Sequence, residues 1–198
     1  MFKSSTKFLV LAALLASLTG CGIQSIPQSE NEVDAAASEV TNQYKRRADL
    51  VPNLVNTVKG YAAHEKETLE GVTEARAKAT SMTIDPSHAT PQQIEAFQQA
   101  QGQLSQALGR LMVVSERYPN LKADTNFRDL QAQIEGTENR ITVARNRLIA
   151  SIRDYNNLVT VFPTNITNSI FFHKQKKAQW DVAPDEKKAI EKAPEVKF

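Results

Sequence analysis

The stretch "FRDLQAQIEGTENRITVARNRLIASIRDYNNLVTVF", residues 127–162, decides the fold. Large apolar side chains recur in it at every seventh position, and smaller or apolar side chains recur between them. The first set is Phe127, Ile134, Ile141, Leu148, Tyr155 and Phe162, and the second is Leu130, Thr137, Ala144, Ser151 and Leu158. A repeat of about 3.5 residues is typical of helices in left-handed bundles or coiled coils. The pattern therefore predicts one long helix that ends at Pro163.

The segment upstream has a similar periodicity, which predicts a helix that begins at Pro91. Thr90 and Gln93 predict a capping box around its start, and proline suits the first helical position. The stripe that follows consists of Ile94, Phe97, Gln101, Leu104, Leu108, Leu111, Ser115 and Tyr118. Residues 118–126 then predict a turn, with Asp124 or Asn126 as the cap of the long helix.

Two more helices are predicted upstream. Ser29 and Glu32 predict a capping box at the start of the first helix, and Pro52 predicts a kink within it. Its apolar stripe is Val33, Ala37, Val40, Tyr44, Ala48, Val51, Val55, Val58 and Ala62. The second helix is predicted near residues 65–80, and residues 81–93 are predicted to form a loop. Because alternation of period two is absent, the sequence indicates an all-α fold.

Residues 1–20 are typical of a secretory signal peptide of the lipoprotein type. Two lysines precede an apolar run at residues 8–18, which is shorter than the roughly 20 residues of a membrane span. The following Leu18-Thr19-Gly20-Cys21 resembles the lipobox of bacterial lipoproteins, in which the cysteine is acylated after cleavage before it. We therefore predict a lipid anchor at Cys21 and a tether at residues 21–28. The alternative is an ordinary signal peptide with an incidental cysteine.

A lipid anchor would place the domain at the cell envelope, outside the cytoplasm. Gly22, and no aspartate, follows the cysteine. By resemblance to the sorting rule of Gram-negative bacteria, this favours the periplasmic side of the outer membrane over the inner membrane. Which membrane holds the anchor is left open by the sequence, because the host is not specified.

The charge balance argues against nucleic acid as a partner. The full chain has 24 basic and 22 acidic side chains, and both excess lysines lie within residues 1–20. The mature chain would therefore carry 22 of each and a formal net charge of zero. A neutral chain lacks the positive surface by which proteins neutralise phosphates.

Residues 164–198 differ in composition from the helical part. They predict a poorly packed tail, with a short helix near residues 164–172 as one option. Phe171, Phe172 and Trp180 stand among its charged residues. Two hypotheses are open for them: docking back onto the domain, or contact with a partner or a membrane surface.

Small and polar residues interrupt the seams of the two long helices. Gln101, Ser115, Thr137 and Ser151 all occupy seam positions. Small side chains allow close approach of helices, and polar ones fix their register. The second hypothesis is a polar cavity in the bundle that binds a ligand.

Charged residues concentrate in "EGTENRITVARNRL", residues 135–148. Arg47 lies on or next to the stripe of the first helix, so we predict that it pairs with Glu135 or Glu138 across the bundle. Arg140 belongs to the same charged segment. The alternative is a solvated charged face. Arginines this close would keep the carboxylates ionised, so these residues need not indicate acid–base catalysis.

A run of glutamines lines the start of the third helix. Residues 92–106 contain seven of them, among them Gln99 and Gln103. They predict an uncharged polar face, which is either simply solvated or a surface for a partner.

The sequence shows no constellation that indicates catalysis or a cofactor. "HEKET", residues 64–68, lacks the second histidine of the metalloprotease zinc pair. No nucleophile elbow, phosphate loop or ligand cluster is present, so we expect no metal and no cofactor.

Three stretches together resemble the LemA family. They are "YKRRADLVPNLVNTVKGYAAHEKETLEGVTEARAKA" at 44–79, "LSQALGRLMVVSERYPNLKADTNFRDLQAQIEGTENRITVARNRLIASIRDYNNLVTVFP" at 104–163 and "APEVKF" at 193–198. The resemblance implies an up-and-down bundle of four main helices, here residues 29–163, on an N-terminal membrane anchor. It implies no established catalytic activity, so no catalytic residue carries over. Matching positions with a structural or surface role are Arg47, Pro52, Asn53, Glu135, Thr137, Glu138, Asn139 and Arg140. Many family members have an uncleaved N-terminal span, from which the lipobox of this chain departs.

These observations predict a non-catalytic interaction or scaffold module, held at the bacterial envelope by Cys21. Its partner would be an envelope protein that the sequence does not identify, and the heptads also permit self-association. The alternative is a ligand carrier or sensor that uses the polar seam. An enzyme is the least favoured hypothesis.

Overall fold

The computed structural model describes the backbone of residues 2–180 and the side chains of residues 23–180. Four main helices form the bundle: α1 (Phe2–Tyr61), α2 (Lys66–Ser81), α3 (Pro91–Ser115) and α5 (Thr125–Thr160). The short helices are α4 (Pro119–Ala123) and α6 (Thr164–Thr167), and a π-helical turn follows at Asn168–Phe172. No strand occurs within residues 2–180. The predicted all-α fold is confirmed, and the part of the predicted tail at 181–198 lies outside the described residues.

The helices run up and down. The turn at residues 62–65 reverses the chain between α1 and α2, and α1 packs along α5. Tyr61 at the end of α1 donates a hydrogen bond to Asp124 at the start of α5, at 2.8 Å. Glu30, at the middle of α1 and about eight turns before Tyr61, pairs with Lys174 beyond the end of α5, at 2.9 Å. These two contacts show that α1 and α5 are antiparallel.

Helix α1 begins earlier than the sequence predicts. It continues through residues 21–28 and through both Pro27 and Pro52, so Ser29 lies inside a helix and the predicted start there is wrong. The reason is burial: Ile26 is fully buried in the core, one heptad before Val33. Burying an aliphatic side chain contributes about 1.5–3 kcal/mol and can offset the local cost of a proline. None of the helices, over the residues searched, combines the length and hydropathy needed to cross a bilayer.

The other helix ends follow their local signals more closely. Thr90 and Gln93 form the predicted capping box, and Asp124 caps α5 by accepting a hydrogen bond from the Phe127 N–H at 2.9 Å. The predicted turn before α5 contains the short helix α4, which starts at a proline. Helix α5 ends at Thr160, before Pro163, because a residue that precedes proline is disfavoured in the α-helical region.

The apolar stripe of α5 drifts away from a strict heptad. Most predicted positions up to Leu148, and Tyr155, are buried, but Leu130, Ser151 and Leu158 are only half-buried and Phe162 is exposed. Ile152 and Val159, each one residue later, are buried in their place. A straight α-helix has about 3.6 residues per turn, so a seven-residue repeat rotates by roughly 20° per heptad.

The core consists of two apolar clusters stacked along the bundle. The first cluster joins the middle of α1, from Ile26 to Tyr44, with the start of α3 and the C-terminal half of α5. The second joins the end of α1, α2, the rest of α3 and the start of α5. On α1 the boundary falls between Tyr44 and Val51, and on α5 between Ile134 and Ile141.

The C-terminal segment at residues 174–180 completes the first cluster. The buried residues of α2 all belong to the second cluster, so α2 does not cover the start of α3. Trp180 fills that place: it is 1 % exposed and its ring meets Phe97 edge-on at 6.1 Å. Lys177 and Asn156 exchange hydrogen bonds that hold the segment on α5. The prediction of a poorly packed tail is therefore wrong for this segment, and the docking hypothesis holds for Trp180.

Candidate functional site

A charged layer lies between the two apolar clusters. Its centre is Arg47 on α1, whose side chain is 1 % exposed. One terminal nitrogen, Nη1, donates to Glu138 Oε1 on α5 and to Ser105 Oγ on α3, both at 2.7 Å. The other, Nη2, donates to the side-chain oxygen and the carbonyl of Gln101 on α3. The predicted ion pair across the bundle is thus formed, with Glu138 as the partner.

The layer links all four main helices. The Gln101 amide donates to the carbonyl of Ala79 on α2 at 3.1 Å, which adds α2 to the contacts of Arg47. Arg76 of α2 donates from Nε to the carbonyl of Ala48 on α1 at 2.7 Å. Each helix therefore meets its neighbours at one axial position. Because every such bond has a fixed geometry, the layer sets the register between the helices.

The electrostatics of the layer favour an ion pair. A guanidinium stays protonated in proteins, and burial without a counter-charge would be costly. Glu138 supplies that charge while 37 % of its side chain remains exposed, so the layer reaches solvent on the α5 side. The Tyr44 ring lies 5.3 Å from the guanidinium carbon and adds a cation–π contact. Within the described residues, Arg47 Nε has no hydrogen-bond partner.

The other predicted charged residues lie apart from this layer. Glu135 is exposed and accepts a hydrogen bond from Gln131 on its own helix. Arg140 is exposed and lines a shallow groove with Glu39 and Arg147. Neither residue contacts Arg47, although both belong to the charged segment that the sequence singled out.

The four residues of the polar seam do not form one hydrogen-bond network. Only Gln101 joins the charged layer. The hydroxyl of Thr137, buried next to Glu138, donates to the carbonyl of Gln133 on its own helix, and that of Ser115 donates to Met112 in the same way. Ser151 is half-buried. Donation to the preceding turn is the usual way in which a buried hydroxyl is satisfied inside a helix.

A groove opens beside Tyr44 and Gln101, between α1, the end of α2 and α3. It has a volume of about 340 Å³. Its lining includes Tyr44, Phe97 and Gln101, with Lys45 and Asp49 near the rim. Ser115, Thr137 and Ser151 are not part of that lining. The groove is at the lower end of the size range of ligand pockets, about 300–1,000 Å³.

The glutamine run at residues 92–106 divides between surface and core. Gln99 and Gln103 are exposed, as the predicted uncharged face requires. Gln98 and Gln101 are buried, so this face is narrower than the composition suggests. Its exposed positions are mainly amides, together with the carboxylate of Glu95, which accepts a hydrogen bond from Gln99 at 3.5 Å.

Ionic contacts tie the C-terminal segment to α1 and organise the loop between α2 and α3 internally. Burial raises the pKa of Glu30, but hydrogen bonds and charge from Lys174 and Lys177 outweigh it and lower that pKa overall. In the loop between α2 and α3, Asp85 accepts hydrogen bonds from the hydroxyl and N–H of Ser87, at 2.7 and 3.0 Å, and contacts His88. The Ser87 hydroxyl is the main reason why the pKa of Asp85 falls to about 2.

The phenol of Tyr155 on α5 is also perturbed. Burial is the main reason why the pKa of Tyr155 rises to about 12, and the charges of Glu30 and Asp34 add to this rise.

Sequence reasoning missed Ser105 and the Asp85 turn. A signal for Ser105 was present, because it follows Gln101 by one helical turn on the same face. A signal for the turn was also present, since Asp-Pro-Ser is typical of side chains that bond to the backbone two residues later.

Comparison with known proteins identifies the family. The model of the LemA family matches residues 36–198. The chain belongs to the LemA family. That match includes every residue of the charged layer and most of the bundle of this LemA chain. The "Protein LemA" of Metamycoplasma hominis is 27% identical to it over 139 residues, which cover 70% of this chain and 57% of that protein. The chain thus spans somewhat more than half the length of that relative.

Proposed function

We propose that this LemA-family protein is a lipid-anchored, non-catalytic interaction or scaffold module of the bacterial cell envelope. The observation that carries the proposal is that the polar and charged side chains at the centre of the bundle bind one another. Arg47, Glu138 and Gln101 are bound to one another inside the bundle, where they join helices. The surface of α3 meanwhile offers the neutral amides of Gln99 and Gln103 to a partner.

A face rich in amides suits a protein partner. Amides donate and accept hydrogen bonds without the desolvation cost of a charge, and they repel neither acidic nor basic surfaces. The four-helix register imposed by Arg47 would hold this face rigid, which limits the ordering cost of association. The proposed partner is an envelope protein that meets α3.

Site-specific photocrosslinking in cells tests the partner surface. A photoreactive amino acid is placed at Gln99 or Gln103, with Val143 as the matched control on α5, since all three side chains are exposed. We expect one discrete adduct from both α3 positions and none from the α5 position. Loss of the adduct when Cys21→Ala is added would show that capture depends on the anchor.

Absence of any adduct from both α3 positions and from Val143 would contradict the scaffold proposal. Adducts of equal strength from α3 and α5 would contradict the assignment of the surface to α3. A single adduct of twice the mass of the chain would identify a second copy as the partner.

The anchor has its own test. Acyl chains contribute about 0.8 kcal/mol per buried methylene, so two or more chains hold a protein stably at a bilayer. We expect Cys21→Ala to move the protein from the membrane fraction to the soluble envelope fraction. Ser25→Ala, close to it in the sequence, serves as the control and should leave the protein in the membrane fraction. Retention of Cys21→Ala in the membrane, with the N-terminal segment removed, would contradict the lipid anchor.

A second candidate is a small-molecule carrier, supported by the groove of about 340 Å³ beside Tyr44 and Phe97. Two aromatic rings and an amide are the kind of lining that holds a small, partly apolar ligand. Thr41→Trp, at the groove wall, would fill it. The native protein should then release a small molecule that mass spectrometry detects and that the variant lacks. Identical spectra from both proteins would reject the carrier.

A further inference from the structure

Exposed apolar side chains gather at one end of the bundle. We call this set the end patch: Ile23, Val161, Phe162, Ile166, Ile170 and Phe171, which are 44–71 % exposed. Among the described side chains, the other large hydrophobic residues with comparable exposure are Tyr61, Val113 and Val143. These three lie on different helices, and the Tyr61 hydroxyl is bonded to Asp124. Scattered exposed apolar residues are ordinary, whereas a group at one place marks an interaction surface.

The fold brings the end patch together from distant parts of the chain. Ile23 lies one turn before Ile26, which is buried in the first cluster. Residues 161–164 border a groove whose other wall is the segment of α1 from Ser25 to Glu32. Helix α6 packs against both α1 and α5, and it carries Ile166 to the same end. The π-helical turn then presents Ile170 and Phe171, while Phe172 turns inward against the core.

The exposure of the end patch is not a consequence of loose packing. The neighbouring side chains Thr167 and Asn168 are buried. The Asn168 amide donates to the carbonyls of Val159 and Lys174, and its oxygen accepts from the Lys174 N–H. Apolar residues thus alternate with residues that are firmly held, so the segment is fixed with its apolar side outward.

The position of the patch identifies what covers it. Ile23 is two residues after Cys21 on the same helix α1. A lipid on Cys21 would bring the bilayer surface to within a few ångströms of Ile23, because a helix rises about 1.5 Å per residue. The end of the bundle that carries the patch is therefore the end that faces the lipid.

We propose that the end patch inserts into the lipid surface and orients the bundle with its long axis away from the membrane. This inference rests on the anchor of the proposed function and adds to it a second, non-covalent contact. The occupant is the boundary between head groups and acyl chains. Aromatic and aliphatic side chains partition into that boundary, and a second contact converts a flexible tether into a defined orientation.

The charges beside the patch support insertion by apolar contact. Lys174 and Lys177 are both paired with Glu30, so they are engaged within the protein. Insertion should therefore depend weakly on anionic lipid and on salt, unlike binding through a basic patch.

Depth measurement by spin labelling tests the orientation. The acylated sulfur of Cys21 cannot take a thiol label, so a cysteine introduced into the lipoprotein is labelled selectively. A nitroxide is attached to Ile170→Cys in the patch or to Val113→Cys, an exposed control on α3 in the other half of the bundle. Each protein is reconstituted in vesicles of phosphatidylethanolamine with a minor fraction of phosphatidylglycerol. Collision with oxygen and with a water-soluble nickel chelate is then measured.

We expect the label at position 170 to collide severalfold less with nickel than the label at 113, and to lose this protection without vesicles. Equal nickel collision at both positions, in protein that remains on the vesicles, would overturn the insertion. Protection at 170 without vesicles, with spin–spin broadening, would also overturn it and would assign the patch to a second copy of the chain.

A patch variant tests whether the exposed rings cause the protection at position 170. Phe162→Ser with Phe171→Ser should remove the protection at 170 and leave the melting temperature nearly unchanged, because both rings are largely exposed. Val113→Ser with Val143→Ser is the control pair and should keep the protection. Retained protection in the patch variant would reject the proposal.

Failure of the anchor gives a different result. If the wild-type chain takes up the thiol label, Cys21 is not acylated and the anchor is wrong. The depth measurement is then repeated in a Cys21→Ser background, where the patch alone must bind the vesicles. Nickel protection at 170 in that background supports the patch without the anchor, and its absence rejects both.

Discussion

At the scale of single residues, the buried guanidinium of Arg47 joins α1 to α3 and α5. Its contact with Glu138 is an ion pair with one fully buried partner and one partner that is 37 % exposed. Removing the counter-charge would leave a buried cation, which costs more than the pair itself contributes.

We therefore expect Glu138→Leu to lower the free energy of unfolding by about 2–4 kcal/mol in denaturant titration. Glu135→Leu is the control, because Glu135 is exposed on the same helix and should change stability by less than about 0.5 kcal/mol. Replacing both partners, as Arg47→Met with Glu138→Leu, should recover a large part of the loss. Equal losses for Glu138→Leu and the double variant would contradict the account of an unpaired buried charge.

The Asp85 turn makes part of the stability depend on pH. The pKa of Asp85 is lowered in the folded chain to about 2 from an ordinary 3.8, mainly by the Ser87 hydroxyl. A lowered pKa means that the contribution is present in full above about pH 4 and is lost as the pH falls toward 2. Solvent screening limits it to less than about 1 kcal/mol, because the carboxylate is largely exposed.

We expect Asp85→Asn to melt below the wild type at pH 7, and the difference to shrink as the pH falls from about 4 to 2. Calorimetry or circular dichroism over this range measures it. Ser87→Ala should weaken the pH dependence, since it removes the main cause of the lowered pKa. A difference between wild type and Asp85→Asn that stays constant down to pH 2 would count against this explanation.

At the scale of elements, the C-terminal segment at residues 174–180 covers the start of α3, which the buried residues of α2 do not reach. Its contribution rests on one large side chain, Trp180, which packs with Phe97 and donates to the carbonyl of Pro86. The segment therefore holds the loop before α3 as well as the start of α3 itself.

We expect Trp180→Ala to lower the free energy of unfolding by about 3–5 kcal/mol, as for other buried aromatic side chains. Phe171→Ala is the matched control: it is also an aromatic residue of the C-terminal region, but it is 59 % exposed and should change stability by less than about 0.5 kcal/mol. Similar stability of both variants in denaturant would show that the segment does not contribute to the core.

At the scale of the whole molecule, two apolar clusters share one bundle, and α5 contributes to both. The charged layer lies between the two clusters and sets the register of the helices there. The halves should nevertheless unfold together, because α1, α3 and α5 pass through both clusters without a break at the boundary.

We expect Ile141→Asp to abolish cooperative unfolding, since it places an unpaired charge in the first cluster. Val143→Asp, two residues later and 51 % exposed, should remain folded. Circular dichroism melting compares the two. A melting curve of Ile141→Asp that matches the wild type would refute the assignment of this face of α5 to the core.

Much of the helical architecture follows from the sequence alone, because its signals are local. Seven-residue spacing, the Thr90–Gln93 capping box and the Asp124 cap each depend on residues within a few turns of one another. An ion pair of Arg47 with Glu135 or Glu138 was also predictable, since a cation next to an apolar stripe needs a counter-charge from a facing helix, whereas the choice of Glu138 came from the structure. Membership of the LemA family follows from the order of residues as well.

Tertiary structure alone decided the remaining features. Helix α1 begins upstream of its predicted start because Ile26 is buried in the core. On α5 the buried positions include Ile152 and Val159, because a helix with about 3.6 residues per turn rotates relative to a seven-residue repeat. Trp180 docks at the start of α3, which the buried residues of α2 do not reach. The end patch likewise joins residues 23 and 161–171, which are far apart in the chain. In each case the free energy comes from surfaces that only folding brings together, so no local pattern could report it.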